Sequence, residues 1–260
     1  MSNFIKEFWD SQAMRFGSAH DASWGDLEMI SLEVNAVVGS IGSIGSGGVV
    51  VDAGCANGFS TRKIADRVKP SKLHAFDFSG EMIAQARESH LAGGVFDVNV
   101  FESDIRKIAL GDGVADACYT TRTLINLPSW TDQQTGISEC LRIIKPGGLV
   151  LLSEAFWEPL CKLNALRLVV GLPALVEHDF NRYIKIEKLT QWLTAQKLQF
   201  EIHDFSSMYY LGSRFIREMA TDASAFPGFT NPINKDFADL ARKYPSCGSI
   251  GVQQLVVIKK

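Results

Sequence analysis

The apolar positions of this chain follow two rhythms. Over the first 38 residues they recur at helical spacing, as Phe4, Ile5, Phe8 and Trp9 and again as Leu27, Ile30, Val34 and Val38. A polar, aromatic hinge, Arg15 to Trp24, separates the two sets. Gly39 to Gly48 is rich in Gly and Ser and reads as a loop into the first strand. It precedes a strand and lacks Gly-Lys-Ser/Thr, so the pattern predicts a linker and not a phosphate loop. Short β-branched runs then alternate with helical patterns. Strands are expected near 48–53, 72–77, 97–102, 114–119 and 148–154, and helices near 60–68, 80–91 and 131–144. Strands alternating with helices imply a doubly wound α/β fold, a parallel sheet covered on both faces.

After Glu154 the rhythm changes. Phe156 to Ile186 is an aromatic, Leu-rich insertion, followed by a helix near 187–197 and a strand near 199–205. A second insertion, Ser206 to Gly251, precedes a last strand from Val252 to Lys259. The expected organisation is a single domain over 1–260. Residues 1–45 form an N-terminal lid, 46–155 a ligand-binding core, and 156–186 and 206–250 cap insertions over the carboxyl edge of the sheet.

Composition narrows the possibilities. With 46% hydrophobic and 21% charged residues the chain is an ordinary globular one. A net charge of -3 provides no basic excess for phosphate backbones, so nucleic acid is not the expected partner. The five cysteines are scattered, with no CxxC pair, which argues against a disulfide framework or zinc site. No metal is expected. A reducing, cytoplasmic setting is expected, because the N-terminus is unlike a signal peptide and the apolar runs are too short to span a bilayer.

The chemistry gathers at successive strand ends. Val49-Val50-Val51 runs into Asp52-Ala53-Gly54-Cys55-Ala56-Asn57-Gly58; Asp77 closes the second strand; Ser103-Asp104-Ile105 closes the third. Strand carboxyl ends are where an open α/β sheet meets its ligand. Asp77 follows Asp52 by 25 residues, the interval at which an acid meets ribose hydroxyls in nucleotide-binding βαβ units. A dinucleotide fingerprint would place Gly at position 59, which is Phe59 here.

This acid-glycine spacing resembles motif I of the class I S-adenosylmethionine-dependent methyltransferases. The resemblance continues through Asp77, Asp104, Thr120 to Leu127 and the Leu141-Arg142-Ile143-Ile144-Lys145-Pro146-Gly147-Gly148 turn. It covers roughly residues 45–155; Ala56 replaces the usual middle glycine. It implies a Rossmann-like, seven-stranded, mostly parallel sheet with the last strand antiparallel, and S-adenosyl-L-methionine as cofactor. It further implies that Asp52, Gly54, Ala56 and Gly58 shape the methionine site and that Asp77 takes the ribose hydroxyls. Phe78 and Met82 would flank the adenine, Asp104 and Ile105 would meet its edge and face, and Thr120 and Thr121 would line the methionine amino group.

Methyl transfer from a sulfonium relies on positioning, so no fixed catalytic motif is expected and acceptor choice falls to the cap. Trp24, beside the Gly17 hinge, is a candidate to close over the sulfonium by cation–π attraction. His178 and His20 are candidate general bases, since histidine is the side chain whose unperturbed pKa lies nearest neutrality. Arg122, Asn181, Tyr209, Tyr210 and Arg214 are candidate acceptor contacts, with the two arginines suited to an anionic group. The expected reaction is transfer to oxygen or nitrogen of a small polar metabolite of sugar, nucleotide-sugar or natural-product type, by a monomer or homodimer. Two alternatives remain: a nicotinamide-dependent reductase, and a non-catalytic cofactor-binding regulator.

Overall fold

The computed structural model of the chain describes residues 3–91, 97–220 and 228–260. The start of the expected lid at 1–2, part of the expected second insertion at 221–227, and residues 92–96 lie outside them. Helices α1 (Asn3–Phe16) and α2 (Leu27–Gly45) lead into the alternation β1 (Val49–Ala53), α3 (Phe59–Val68), β2 (Lys72–Asp77), α4 (Gly80–Gln85), β3 (Asp97–Glu102), β4 (Ala115–Thr121), α5 (Trp130–Ile143) and β5 (Ile144–Ala155). Then come α6 (Trp157–Val169), α7 (Ile186–Ala195), β6 (Gln199–His203), α8 (Ser207–Leu211), α9 (Arg217–Ala220), α10 (Ile233–Lys243) and β7 (Gln253–Lys259). The sheet order is β3-β2-β1-β4-β5-β7-β6. Only β7 runs antiparallel, against both β5 and β6. This is the seven-stranded, mostly parallel sheet the alternation and the resemblance predict.

Strand alternation distributes the core to both faces. Val50, Leu73, Ala75, Ala117, Tyr119 and Leu151 pack with α2, α3 and α10 through Ile30, Val37, Ile64 and Ala238. Val51, Phe76, Cys118, Val150 and Leu152 point the other way, to Ile137, Cys140, Leu189 and Leu193 of α5 and α7. Each such aliphatic side chain contributes about 1.5–3 kcal/mol by leaving water. Strand order reverses between β1 and β4, so β1 with β2 diverges from β4 with β5 and opens a crevice at their carboxyl ends.

One expectation fails. Of Gly39 to Gly48 only Ser46 to Gly48 form a loop, because α2 continues to Gly45 across a kink at Gly42. The reason is close packing. A Cβ on Gly45 would lie 2.3 Å from Ile41 Cγ2 and 2.8 Å from Val68 Cγ1, so a bare backbone lets α2 abut α3 and β1. Gly45 marks helix contact rather than a turn.

Candidate active site

The crevice holds a cavity of about 560 Å³ at the carboxyl ends of β1, β2, β4 and β5. Its inner wall is the loop after β1. Gly54 stands at φ +93°, and a Cβ there would fall 2.1 Å from Thr123 Oγ1. Glycine is thus required both by the backbone conformation and by the approach of the post-β4 loop. Ala56 adopts a left-handed φ of 47° and donates its N–H to Asp77 Oδ2 at 2.9 Å. The second Asp77 oxygen accepts the Ser79 N–H at 2.9 Å. Asp77 therefore ties the β1 and β2 loops together, and each of its oxygens keeps acceptor capacity toward the cavity. Burial raises its pKa, opposed by these backbone donors.

Asp52, the last polar position before the turn, is 1% exposed and still lines the cavity. Its Oδ2 accepts the hydroxyls of Thr61 and Tyr119, both at 2.7 Å, whereas Oδ1 has no partner. Burial pushes its pKa to about 7, against the pull of those two hydroxyls. An orphaned, buried carboxylate oxygen beside a second buried acid suits a cationic ligand. Phe78, Met82 and Ile105 add an apolar flank and Ser103 a hydroxyl. These residues fit a nucleoside that carries a positive charge.

Ten of the residues expected to meet ligand do line this cavity: Asp52, Gly54, Ala56, Asp77, Phe78, Met82, Ile105, Thr121, Trp24 and Arg122. His178, Asn181 and Tyr210 join them from the cap. Others do not. Gly58 serves as N-cap of α3 behind the loop. Asp104 turns from the cavity to Arg106, whose Nη2 sits at 2.6 Å, and its neighbour Ser103 faces the cavity instead. Thr120 donates to Glu154 at 2.6 Å, because strand alternation sends it away from the crevice that Thr121 faces. His20 packs its ring against Phe59 outside the cavity lining. Tyr209 and Arg214 are also structural. Both bond to the fully buried Asp26, Tyr209 at 2.6 Å, behind the wall formed by Tyr210 and Phe229.

Arg122 lines the cavity but holds no free charge. It stacks 4.5 Å from the Trp24 ring centroid and lies 3.3 Å from Glu33, which also accepts from Ser153 and Gln253. Sequence reasoning missed the buried acids that brace the site. Glu154 accepts from Thr120, Thr123, Leu124 and Ile125, fixing the post-β4 loop, and burial raises its pKa to about 7. The signal was an acid inside the apolar run Leu151-Leu152-Ser153-Glu154-Ala155.

The roof comes from two distant segments. Phe180 lies 4.8 Å from Phe8 and 6.2 Å from Trp9, ring centroid to centroid, closing the 176–181 loop onto α1. His178 joins this cluster 4.7 Å from Phe180 and 5.8 Å from Phe8. Among the described residues no helix is long and apolar enough to cross a membrane.

A doubly wound sheet with an acid-lined crevice at the strand reversal defines the Rossmann-like fold class. Comparison with known proteins narrows this. Residues 50–148 match the family model described as a methyltransferase domain. Malonyl-[acyl-carrier protein] O-methyltransferase of Pectobacterium atrosepticum is 35% identical over 106 residues, 40% of this chain and 38% of that protein. A ubiquinone biosynthesis O-methyltransferase of Pseudomonas fluorescens is 27% identical over 188 residues, 71% of this chain and 75% of that one. The matches to the first three curated relatives span only 30–38% of their length. The structure of an S-adenosylmethionine-dependent methyltransferase from Aquifex aeolicus shares the fold, with a TM-score of 0.55 at 16% identity over 96% of this chain and 97% of the other. Residues 50–148 thus match a methyltransferase domain, and the chain shares its fold with S-adenosylmethionine-dependent methyltransferases of known structure.

Proposed function

We propose that the chain transfers a methyl group from S-adenosylmethionine to an oxygen or nitrogen of a small, uncharged and largely apolar acceptor of natural-product type. The observation that carries this reading is the division of one cavity into two unlike halves. Asp52, Asp77, Phe78, Met82 and Ile105 form an acidic and apolar half for the donor. Trp24, Phe180, Tyr183, Tyr210 and Phe229 form an aromatic half for the acceptor, with Asn126, Asn181 and Gln253 as neutral polar groups among them.

The donor supplies an activated methyl on a cationic sulfonium. In the proposed site Asp77 takes the ribose hydroxyls through its remaining lone pairs. Met82, Phe78 and Ile105 enclose the adenine, and Asp52 and Thr121 face the methionine end. Charge argues for the acceptor class. Arg122 is the only lysine or arginine lining the cavity among the described residues, and it is already paired with Glu33. Asp21, Asp52, Asp77, Glu177 and Asp179 are also in the lining. A nucleotide-sugar would bring its phosphates against these acids without a free cation, so the neutral acceptor is favoured. His178, set at the roof beside Phe8 and Phe180, is the proposed base that takes the proton of the acceptor hydroxyl or amine.

Calorimetry with S-adenosylmethionine and S-adenosylhomocysteine tests the donor half, and absence of heat from both ligands with folded protein refutes it. Incubation of a metabolite panel with labelled methyl donor, read by mass spectrometry, tests the acceptor half. Labelling confined to phosphorylated sugars would overturn the proposed acceptor class.

A further inference from the structure

The acceptor wall is partly built by α1, which contributes Phe8, Trp9 and Gln12 to the cavity. This helix precedes the core and is joined to it by the irregular segment 17–26, whose one regular turn is His20–Ala22. The wall therefore needs an external fixture to hold its place. That fixture comes from the donor loops. Asn57, in the turn after β1, is 1% exposed, and its amide donates to Gly17 O at 2.9 Å and Ala19 O at 2.8 Å. Its own Oδ1 accepts the Phe59 N–H at 3.3 Å, which fixes the orientation of the amide.

A second tie runs from the β2 end. Ser79 donates to Asp10 of α1 at 2.5 Å, and its hydroxyl also accepts the Met82 N–H at 3.1 Å as the N-cap of α4. Asp10 is further held by Lys6 at 3.0 Å. Between the two ties lies Asp77, bonded on one oxygen to Ala56 beside Asn57 and on the other to Ser79. A small apolar cluster of Ala13, Ala22 and Met82, with Trp9, Phe16 and Ala56 against it, fills the space between. The acid assigned to the donor thus sits at the junction of both fixtures of the acceptor wall.

We propose that Asn57 is a positioning residue for the acceptor half: it borders the cavity, but its amide is spent on Gly17 and Ala19, and through them it sets α1 over the cavity from the donor loop. This rests on the reading of the cavity as a joint donor and acceptor site. Removing two hydrogen bonds loosens the hinge by at least about fivefold, given the usual net contribution of such bonds.

Hydrogen-exchange mass spectrometry of the 16–24 hinge in full-length protein, without ligand and with S-adenosylhomocysteine, tests the proposal. In Asn57→Ala the ligand-free hinge exchanges at least about fivefold faster than in wild type, while the dissociation constant for S-adenosylhomocysteine rises less than about threefold. With the first acceptor found, KM for that acceptor rises while donor affinity holds. Asp10→Ala, which lies outside the donor loop, gives the same pattern and decides the matter if Asn57→Ala fails to fold. Met14→Ala, at a side chain 70% exposed on the same helix, leaves the hinge unchanged. Wild-type hinge exchange in both tie variants overturns the proposal, as does parallel loss of donor and acceptor affinity. Failure of wild-type protein to bind S-adenosylhomocysteine counts against the donor reading alone, because the ligand-free hinge still reports on Asn57.

Discussion

Donor affinity should depend on pH through Asp52. This carboxyl has one oxygen saturated by Thr61 and Tyr119 and one without a partner, and burial sets its pKa at about 7. The sign follows directly. In the ligand-free protein the group is mostly protonated below pH 7 and mostly ionised above it. A cationic ligand favours the ionised form, so binding expels a proton at low pH and costs nothing extra at high pH. Between pH 6 and pH 8 the ionised fraction rises from roughly 9% to roughly 91%, and affinity for S-adenosylhomocysteine, whose ammonium supplies the cation, should rise about tenfold, or about 1.4 kcal/mol. Calorimetry at both pH values, in buffers of different ionisation enthalpy, reads the affinity and the proton released. Asp52→Asn isolates the group: its amide oxygen replaces Oδ2 toward Thr61 and Tyr119, and its amide nitrogen takes the place of the orphaned Oδ1. The variant should lose most of the pH slope. Equal slopes in wild type and Asp52→Asn, with no proton release, would rule out Asp52 as the titrating group.

Three further outcomes are expected. Asp77→Ala should weaken donor binding at least about tenfold, since loss of one charge-assisted bond suffices; calorimetry measures it, after circular dichroism has confirmed that the Ala56 and Ser79 turns survive. His178→Ala should leave donor affinity within about twofold and lower turnover by about 10²-fold or more; unchanged turnover with an authentic acceptor removes it as the base. Gly54→Ala should cost about 2–5 kcal/mol of stability in urea unfolding, combining a strained positive φ with the clash at Thr123.

The strand ends and the turn after β1 were legible because they are written in backbone. A β-branched run ending in an acid, then small residues at a turn, has one common outcome, and β1, β2, β3 and β5 end within a residue or two of where the pattern puts them. Where side-chain direction decides, the pattern was less informative. Thr120 and Thr121 are equivalent by type and differ only in which face of β4 they occupy. Asp104 and Arg214 carry the charges a ligand would want, and each spends that charge on a partner, Arg106 and Asp26. Asp26 is 188 residues from Arg214, a separation no local pattern reports. The Gly45 helix contact was misread for the converse reason, since a glycine required by packing looks the same in sequence as one required by a turn.

The carboxylates explain why the acceptor half resisted reading. Asp52, Asp77, Glu33 and Glu154 all sit at or near the carboxyl edge of the sheet, and each braces a loop through hydroxyl, backbone or guanidinium donors. An edge lined by acids suits a sulfonium once Asp52 is ionised and discourages anions. Arg122 then acts as counter-ion to Glu33 rather than as an anchor for an anionic acceptor, and the specificity it suggests in sequence disappears once Glu33 is placed beside it. What remains to choose the acceptor is shape, given by rings from α1, the 176–183 loop, Tyr210 and Phe229. Rings drawn from separate stretches carry no spacing signature, so the aromatic half of the cavity emerges only when the fold has brought them together.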